Sequence, residues 1–474
     1  MRRKLLIALA AVVCLAAALV GVAYWQASDV LAQLHAGSKA AVVKAVEPEL
    51  RRAPAHVLVT APPEASAQTI LVIGSDHRWE GGAGNARSDT IILVRIEPSR
   101  RRIALLSIPR DLYVAIPGHG HDRINMAFRY GGERLLTRTV RETFGVEIDH
   151  FVEVDFHGFK DLVAALGGVY LPVDQRYYNE NVGTYGTNYA NIDLQPGYQK
   201  LDGAQALAFA RFRHTDSDLV RASRQQLLIR TAARQTLAGG LDPLRLRRLA
   251  LAFAKATASD ISNLGEVLSL ARAIHDTPAS RIDRLTVHAS DLVLYGADYL
   301  SATPAQLKAT VRAWLGAPSP QPRRRGPARH EETATRAQVR LAPDGGRGAA
   351  LLASVRNGIR TCAPTALPYG FSWPGDAARS YVLDGHPAIA LYSTAGSGDS
   401  VLWMYTTWQD PPILDDPTGT IVRGGRRYDL YTEGGKLRQV AWHLGGTRVW
   451  ITNTLEDSLA NAELLALAES CRGG

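Results

Sequence analysis

Lysine, cysteine and methionine are scarce in this sequence, with 8, 3 and 3 occurrences among 474 residues. Three cysteines are too few for a small scaffold built on disulfides. Hydrophobic residues make up 46% of the chain and charged residues 21%, which excludes a disordered protein. Because lysine is rare, arginine supplies 46 of the 54 basic residues. A single arginine therefore says little about anion binding, and only the spacing of arginines is informative.

Length and net charge set broad limits. A chain of 474 residues is too long for one hydrophobic core, which predicts two folded domains. The formal net charge of +9 suits nucleic acid, an anionic lipid surface or an acidic small substrate. Composition alone leaves these three classes of partner open.

The N-terminus carries an apolar run preceded by basic residues. Residues 1–4 read MRRK, and residues 5–25 contain no charge and are long enough for a helix that crosses a bilayer. The basic residues and the Tyr24–Trp25 pair predict a cytoplasmic N-terminus and an extracytoplasmic remainder. We expect residues 1–25 to be a cytoplasmic tip and single-pass cell-membrane anchor, and residues 26–67 to be a stalk. A cleaved signal peptide is the alternative.

The cysteines outside this run are Cys362 and Cys471. In an oxidising extracytoplasmic space, two cysteines that flank one domain predict a disulfide. The alternative is a pair of buried, unpaired thiols.

An α/β pattern occupies residues 68–315. Strands covered on both faces are predicted by short apolar runs rich in β-branched residues, at 69–74, 90–96 and 102–108. Helices are predicted by the periodicity of segments 132–143, 156–166 and 218–238. We therefore expect an α-β-α sandwich.

A change of composition follows this domain. Residues 316–336 are rich in proline and arginine and predict an exposed linker. Residues 337–474 contain β-type runs separated by glycine turns and a helical segment at 456–471, which predicts a smaller α+β domain. Five of the eight tryptophans lie there, either as core residues or as platforms for sugar rings.

Charged residues flank the predicted strands of the first domain. Asp76 follows the first strand, Arg87 and Asp89 precede the second, and Arg110 and Asp111 follow the third. Loops at the carboxyl ends of strands are where α/β sheets build their sites. Arg87 and Asp89 join such a site only if their strand is antiparallel or the preceding loop folds over. Salt-bridged surface loops are the alternative interpretation.

A second group of basic residues lies in the stretch ARFRHTDSDLVRASRQ, residues 210–225. Arg211 and Arg213 have the spacing of one face of a strand. Arg221, Arg224 and Gln225 have the spacing of one part of a helix surface. Carboxylates among several guanidinium groups suit a phosphate ester, because Mg²⁺ takes carboxylate oxygens and arginine forms paired hydrogen bonds with phosphate.

Several motifs in order resemble the LytR–CpsA–Psr (LCP) family of cell-wall glycopolymer ligases. They run from GSDHR through RSDTIILVRI, LLSIPRDLYVAIPG, RINMAFRYGG and LVAALGGVYLPV to LDGAQALAFARFR and DLVRASRQ, within about residues 68–240. The resemblance implies roles for the following residues: Asp76 and Asp89 at Mg²⁺; Arg87, Arg110, Arg211, Arg213, Arg221, Arg224 and Gln225 at pyrophosphate; and Arg87, Arg110, Asp111 and Asp218 in catalysis. His77 and Arg123 depart from the family pattern without removing a needed charge.

The resemblance also implies an activity. It is the transfer of a glycopolymer from a polyprenyl-pyrophosphate carrier to a wall acceptor such as peptidoglycan, at the membrane and without nucleic acid. The alternatives are a polyprenyl-pyrophosphate pyrophosphatase that uses the same site, or a non-catalytic lipid-binding or regulatory envelope protein.

Overall fold

The structure is a computed structural model. It describes residues 39–64, 66–75, 88–180, 191–212, 218–238, 252–253, 255–261, 264–278, 281–294, 296–317, 339–355, 358–396, 398–433 and 435–472. The predicted anchor at 1–25 precedes these ranges, and most of the predicted linker at 316–336 lies between two of them. Within the described ranges, no helix has the length and apolar character needed to span a bilayer.

A six-stranded mixed sheet forms the centre of the first unit. Its strands are β1 (Gln68–Ser75), β2 (Ser88–Glu97), β3 (Arg102–Ser107), β4 (His150–Asp155), β5 (Thr257–Ser259) and β6 (Ile282–Thr286). Their order across the sheet is β5-β4-β1-β2-β3-β6. β1 is parallel to β4 and β3 is parallel to β6, whereas β2 and β5 run antiparallel to their neighbours. The three strands predicted first, β1 to β3, are confirmed.

Helices and short hairpins surround this sheet. The helices are α1 (Lys39–Val46), α2 (Met126–Phe144), α3 (Phe156–Ala165), α4 (Gly203–Arg211), α5 (Asp218–Ala238), α6 (Leu264–His275) and α7 (Pro304–Trp314). The hairpins pair Tyr113–Ile116 with Gly120–Arg123 and Ser290–Leu294 with Ala297–Ser301. Two further antiparallel pairs join Val169–Val173 to Gly197–Leu201 and Tyr177–Asn179 to Ile192–Leu194.

Both faces of the sheet are covered. Alternate strand residues such as Leu71 and Leu106 pack on one face with Phe144 of α2 and Trp314 of α7. The other face, which includes Ile103, packs against α6 and contacts α5. The mixed α/β class expected from the sequence is confirmed for this unit.

The segment before β1 belongs to the first unit. Val46 at the end of α1 and Leu50 after it are buried in the same core as Leu71. Arg141 of α2 donates from Nη1 to the Glu49 carboxylate at 2.8 Å and to its carbonyl at 3.1 Å. The prediction of a stalk is therefore wrong for residues 39–61, because the apolar side of α1 is buried against the sheet rather than left in water.

The second unit is an eight-stranded antiparallel sheet with two helices. Its strands are β7 (Phe371–Ser372), β8 (Ala378–Leu383), β9 (His386–Ala395), β10 (Ser400–Thr406), β11 (Gly419–Arg423), β12 (Arg426–Glu433), β13 (Lys436–Leu444) and β14 (Thr447–Thr452). The helices are α8 (Arg347–Ser354) and α9 (Asn461–Glu469). Shorter pairings join Leu341–Pro343 to Ala366–Pro368 and Ala363–Pro364 to Cys471–Arg472.

This unit is largely β, which corrects the α+β expectation. The predicted closing helix at 456–471 is shorter, because the residues before Asn461 form a turn in which Asn453 accepts from the backbone N–H of Leu459. Trp403, Trp442 and Trp450 are fully buried, so these tryptophans are core residues. The predicted Cys362–Cys471 disulfide is confirmed, with a Cα–Cα distance of 5.3 Å.

Candidate active site

One edge of the first sheet collects the predicted site residues. Ser75 at the end of β1 is paired with Asp155 at the end of β4 and with Ser88 at the start of β2. Ser107 at the end of β3 is paired with Ile92 of β2. We call this the site edge. Because β2 is antiparallel to β1, the condition for Asp89 to lie at this edge is met.

Some predicted site residues lie outside the described residues. They are Asp76, Arg87 and Arg213. For two others the structure describes only the backbone: Asp89 is the second residue of β2, and Asp218 is the first residue of α5.

The register places the backbone of one predicted metal ligand, Asp89, at the site edge. Asp76 directly follows Ser75, and Asp89 directly follows Ser88, the partner of Ser75. Two carboxylates at one point suit a divalent ion with oxygen ligands such as Mg²⁺. Among the described residues, no group of three or more His, Cys, Asp or Glu side chains forms a metal site. Asp89 is the one member of the predicted pair within the described residues, and the Mg²⁺ site stays a prediction.

Arg110 and Asp111 follow β3 at the site edge. The Asp111 carboxylate forms ion pairs with both Arg110 and Arg123. Arg110 Nε lies 3.2 Å from Asp111 Oδ2, and Arg123 Nε lies 3.3 Å from Asp111 Oδ1. Arg123 comes from the Gly120–Arg123 strand and also donates to the Asp298 carbonyl at 2.8 Å. All three side chains are partly exposed. Asp111 thus orients two guanidinium groups that solvent, and hence a ligand, can reach.

Arg211 reaches the site edge from α4 rather than from a strand. A capping box at Asp202 and Gln205 begins this helix, and Arg211 is its last residue. The expectation of a strand is therefore wrong here, because an alanine-rich, well-capped segment favours helix. The guanidinium carbon of Arg211 lies 4.2 Å from the ring centre of Phe156, the residue after Asp155.

The N-terminal half of α5 carries the next predicted residues. Arg221 and Gln225 are more than nine-tenths buried, and Gln225 donates to the carbonyl of Ala210 at 3.4 Å. Arg224 is fully buried, donates to the Phe212 carbonyl at 2.5 Å and stacks over Tyr177. We therefore assign Arg224 to holding α5 in place, the alternative to a role at pyrophosphate.

The structure adds one residue that sequence reasoning missed. Glu153 of β4 is almost fully buried, and Ser75 Oγ donates to its Oε1 at 2.6 Å. Burial, and then repulsion from the nearby Glu133 carboxylate, raises the pKa of Glu153 to about 8. The signal in the sequence was a glutamate within the apolar run HFVEVDF, on the strand beside β1.

An apolar cavity of about 650 Å³ lies on the α5 side of the sheet. Side chains of β2, β3 and β6 line it, and α5 supplies another wall. The sheet residues involved include Ile96, Ile103 and Ile282, which lie toward the edge opposite the site edge. The fold therefore offers an apolar chamber on one side and clustered cations at the other end of the same strands.

Comparison with known families and proteins gives consistent matches. A model described as the LytR_cpsA_psr family matches residues 31–313. The chain is 40% identical over 167 residues to polyisoprenyl-teichoic acid–peptidoglycan teichoic acid transferase TagT of Bacillus subtilis. It is 41% identical over 177 residues to TagU of Oceanobacillus iheyensis, which carries the same enzyme name. These alignments cover 34% and 36% of this chain and 51% of each relative.

A probable cell wall biosynthesis protein, LcpB of Corynebacterium glutamicum, is 40% identical over 169 residues, which cover 33% of this chain and 39% of the relative. The crystal structure of B. subtilis TagV is 26% identical with a TM-score of 0.47, covering 54% of this chain and all of TagV. The chain thus spans about half the length, or less, of the curated relatives that it matches.

Proposed function

Because the chain belongs to the LytR–CpsA–Psr family, we propose that it transfers a glycopolymer from a polyprenyl-pyrophosphate carrier to a cell-wall acceptor such as peptidoglycan. The names of TagT and TagU describe this type of reaction for teichoic acid. The observation that supports the proposal most is the site edge, where Arg110 follows β3, Asp89 lies at the start of β2 and Arg211 packs on the residue after β4.

The proposed reaction is the displacement of a lipid phosphate. An acceptor hydroxyl oxygen attacks the phosphorus that bears the glycan, the bond from that phosphorus to the bridging oxygen breaks, and lipid phosphate leaves. The hydroxyl proton passes to a base. Negative charge grows on the phosphate oxygens in the transition state, and guanidinium groups at Arg110, Arg211 and Arg221 would stabilise it there.

Asp76 and Asp89 would hold the divalent cation. When bound, Mg²⁺ would neutralise pyrophosphate charge and fix the position of its oxygens. Asp111 would keep Arg110 and Arg123 in place, and Gln225 would tie α5 to α4 near Arg211.

We further propose that residues 1–25 anchor the protein in the cell membrane, with the bulk of the chain outside. A polyprenyl carrier stays in the bilayer, so a tethered enzyme meets it at a raised local concentration. The net charge of +9 suits an anionic membrane surface.

The decisive experiment follows the glycan phosphate. The full-length protein is incubated with Mg²⁺, a polyprenyl-pyrophosphate glycan carrying labelled phosphate next to the sugar, and peptidoglycan as acceptor. The proposal predicts label on the acceptor, lost when Mg²⁺ is chelated and restored when it is returned. Label that appears only as free glycan phosphate would identify a pyrophosphatase. No release of label would leave a binding or regulatory protein.

A further inference from the structure

The apolar cavity is completed by the second unit. Its sheet side is formed by β2, β3 and β6, but the facing wall includes Pro412, Ile413 and residues 415–418, together with Gln439. We call residues 412–418 the closing segment. The family model ends at residue 313, so this wall comes from outside the region that the family model matches.

Helix α5 connects the site edge to this cavity. Arg221 and Gln225 lie near its start, whereas Leu227, Thr231 and Gln235 line the cavity. At 1.5 Å per residue, the helix covers about 20 Å between Arg221 and Gln235. A molecule with a phosphate at the site edge and an apolar tail would therefore extend along α5 toward the closing segment.

The closing segment is held firmly within the second unit. Leu414 is buried in the core that contains Tyr431, and Tyr431 Oη donates to the Leu414 carbonyl at 2.9 Å. Thr418 N–H donates to the Leu430 carbonyl at 2.8 Å. The segment is thus attached to β12 at both ends and presents Ile413, which is partly buried, to the cavity.

Buried contacts fix the second unit against the first. Tyr381 Oη donates to the Tyr198 carbonyl at 2.8 Å, and Tyr198 itself lines the cavity. Arg284 Nη2 of β6 lies 3.0 Å from Asp457 Oδ2, with both side chains largely buried. Arg230 of α5 also contacts Glu433 at the end of β12. The closing segment therefore has a defined position relative to the sheet.

We propose, on the basis of the proposed function, that the closing segment forms the far wall of the pocket for the prenyl tail and sets the length of tail that binds fully. Moving hydrocarbon out of water lowers the free energy, and Ile413 and the apolar sheet residues provide a place for it away from water. Asp415 and Asp416 follow Ile413, are exposed and also line the cavity, so its wall changes from apolar to anionic there. Carboxylates are costly to bury beside hydrocarbon, so a longer tail cannot gain by passing them.

Tail-length dependence tests this proposal. Full-length protein in nanodiscs is titrated with radiolabelled geranyl pyrophosphate and octaprenyl pyrophosphate. Ile413→Asp should weaken the binding of octaprenyl pyrophosphate by about tenfold or more, because each buried methylene raises the affinity by about fourfold. The affinity for geranyl pyrophosphate, whose tail ends before the closing segment, should change by less than about twofold. The matched control is Val422→Asp, since Val422 is 68% exposed on the same unit.

Two further measurements guard against misfolding. Ile413→Trp keeps the segment apolar but fills the cavity, and should reproduce the selective loss. In the unmodified protein, an octaprenyl pyrophosphate analogue with a photoreactive group at the tail end should cross-link to the peptide that contains Ile413.

If the wild-type protein binds octaprenyl pyrophosphate and both Ile413 variants bind it equally well, the inference is overturned. The proposed function is then left intact. Wild-type protein that binds neither compound would overturn both.

Discussion

The two edges of the central sheet use arginine in opposite ways. At the edge opposite the site edge, Arg95 Nε lies 2.9 Å from Glu97 Oε1, and Arg102 Nη1 lies 3.1 Å from Glu97 Oε2. Arg102 also pairs with Asp283 at 2.7 Å and donates to the Trp314 carbonyl at 2.9 Å. These guanidinium groups are buried among internal partners.

At the site edge the arrangement is more open. Arg110 and Arg123 both contact the carboxylate of Asp111, and all three side chains remain partly exposed. Residue type therefore does not distinguish these arginines, but exposure does: Arg95 and Arg102 are enclosed by partners within the fold, whereas Arg110 and Arg123 can be reached from solvent.

The largest expected effect is on stability at the opposite edge. Arg102→Ala leaves the Glu97 carboxylate buried with part of its charge uncompensated, so we expect the free energy of unfolding to fall by about 3–5 kcal/mol. Chemical denaturation measures it. The control is Arg100→Ala, whose side chain is 39% exposed and contacts the same carboxylate at 3.5 Å. That change should cost less than about 1 kcal/mol. Equal losses for the two variants would refute the distinction.

The next effect is on turnover at the site edge. Arg110→Ala should lower the rate of glycopolymer transfer by about 100-fold or more, the scale for one lost transition-state donor. Stability should change by less than about 0.5 kcal/mol, because the side chain is not in the core. Arg423→Ala, at a side chain 65% exposed on the second unit, is the control. Unchanged turnover in Arg110→Ala would remove this residue from the mechanism.

A carboxylate at each edge allows a pH test. Glu97 faces arginines, whereas Glu153 is buried beside Glu133 and has a pKa raised from 4.5 to about 8. The folded state therefore holds a proton that the unfolded state has lost, so stability falls as pH rises from about 5 to 8. The amide of the Glu153→Gln variant does not titrate in this range. We expect the variant to lose about 2 kcal/mol less than wild type across this range, measured by denaturation at each pH. Parallel pH profiles would contradict the assignment.

The smallest effect sharpens the role of the ion pair. Arg123→Ala removes one of the two cations that orient Asp111, so turnover should fall by about tenfold through a less well-placed Arg110. Arg123→Lys retains the charge and should recover part of the rate. A rate equal to that of wild type in Arg123→Ala would mean that Arg110 needs no such support.

Much of the central sheet followed from local pattern. The apolar runs that became β1, β2 and β3, and the helix at 218–238, were predicted because hydrophobic periodicity is a local property. The hairpin of Ser290–Leu294 with Ala297–Ser301 was not predicted. Its strands are half-exposed and short, and such segments form only against the rest of the fold.

The candidate site was predictable in its residue types but not in its geometry. The strand ends and the motif order pointed to Arg110, Asp111 and Arg211. The family motif left Arg224 either as a ligand-binding residue or as a brace for its helix, and its burial among aromatic rings favours the brace. Helical spacing fixes which residues are neighbours on a helix, while the packing of other elements decides which side of that helix is buried.

The sequence by itself determined three strands of the central sheet, β1 to β3, together with the family motifs and the cysteine pair, since each depends on nearby residues or on a count. Only the tertiary structure decided that residues 39–61 join the first unit, that Glu153 lies beside Ser75, and that the second unit completes the apolar cavity. Those outcomes depend on contacts between residues far apart in the chain, and burial created by such contacts cannot be read from a local pattern.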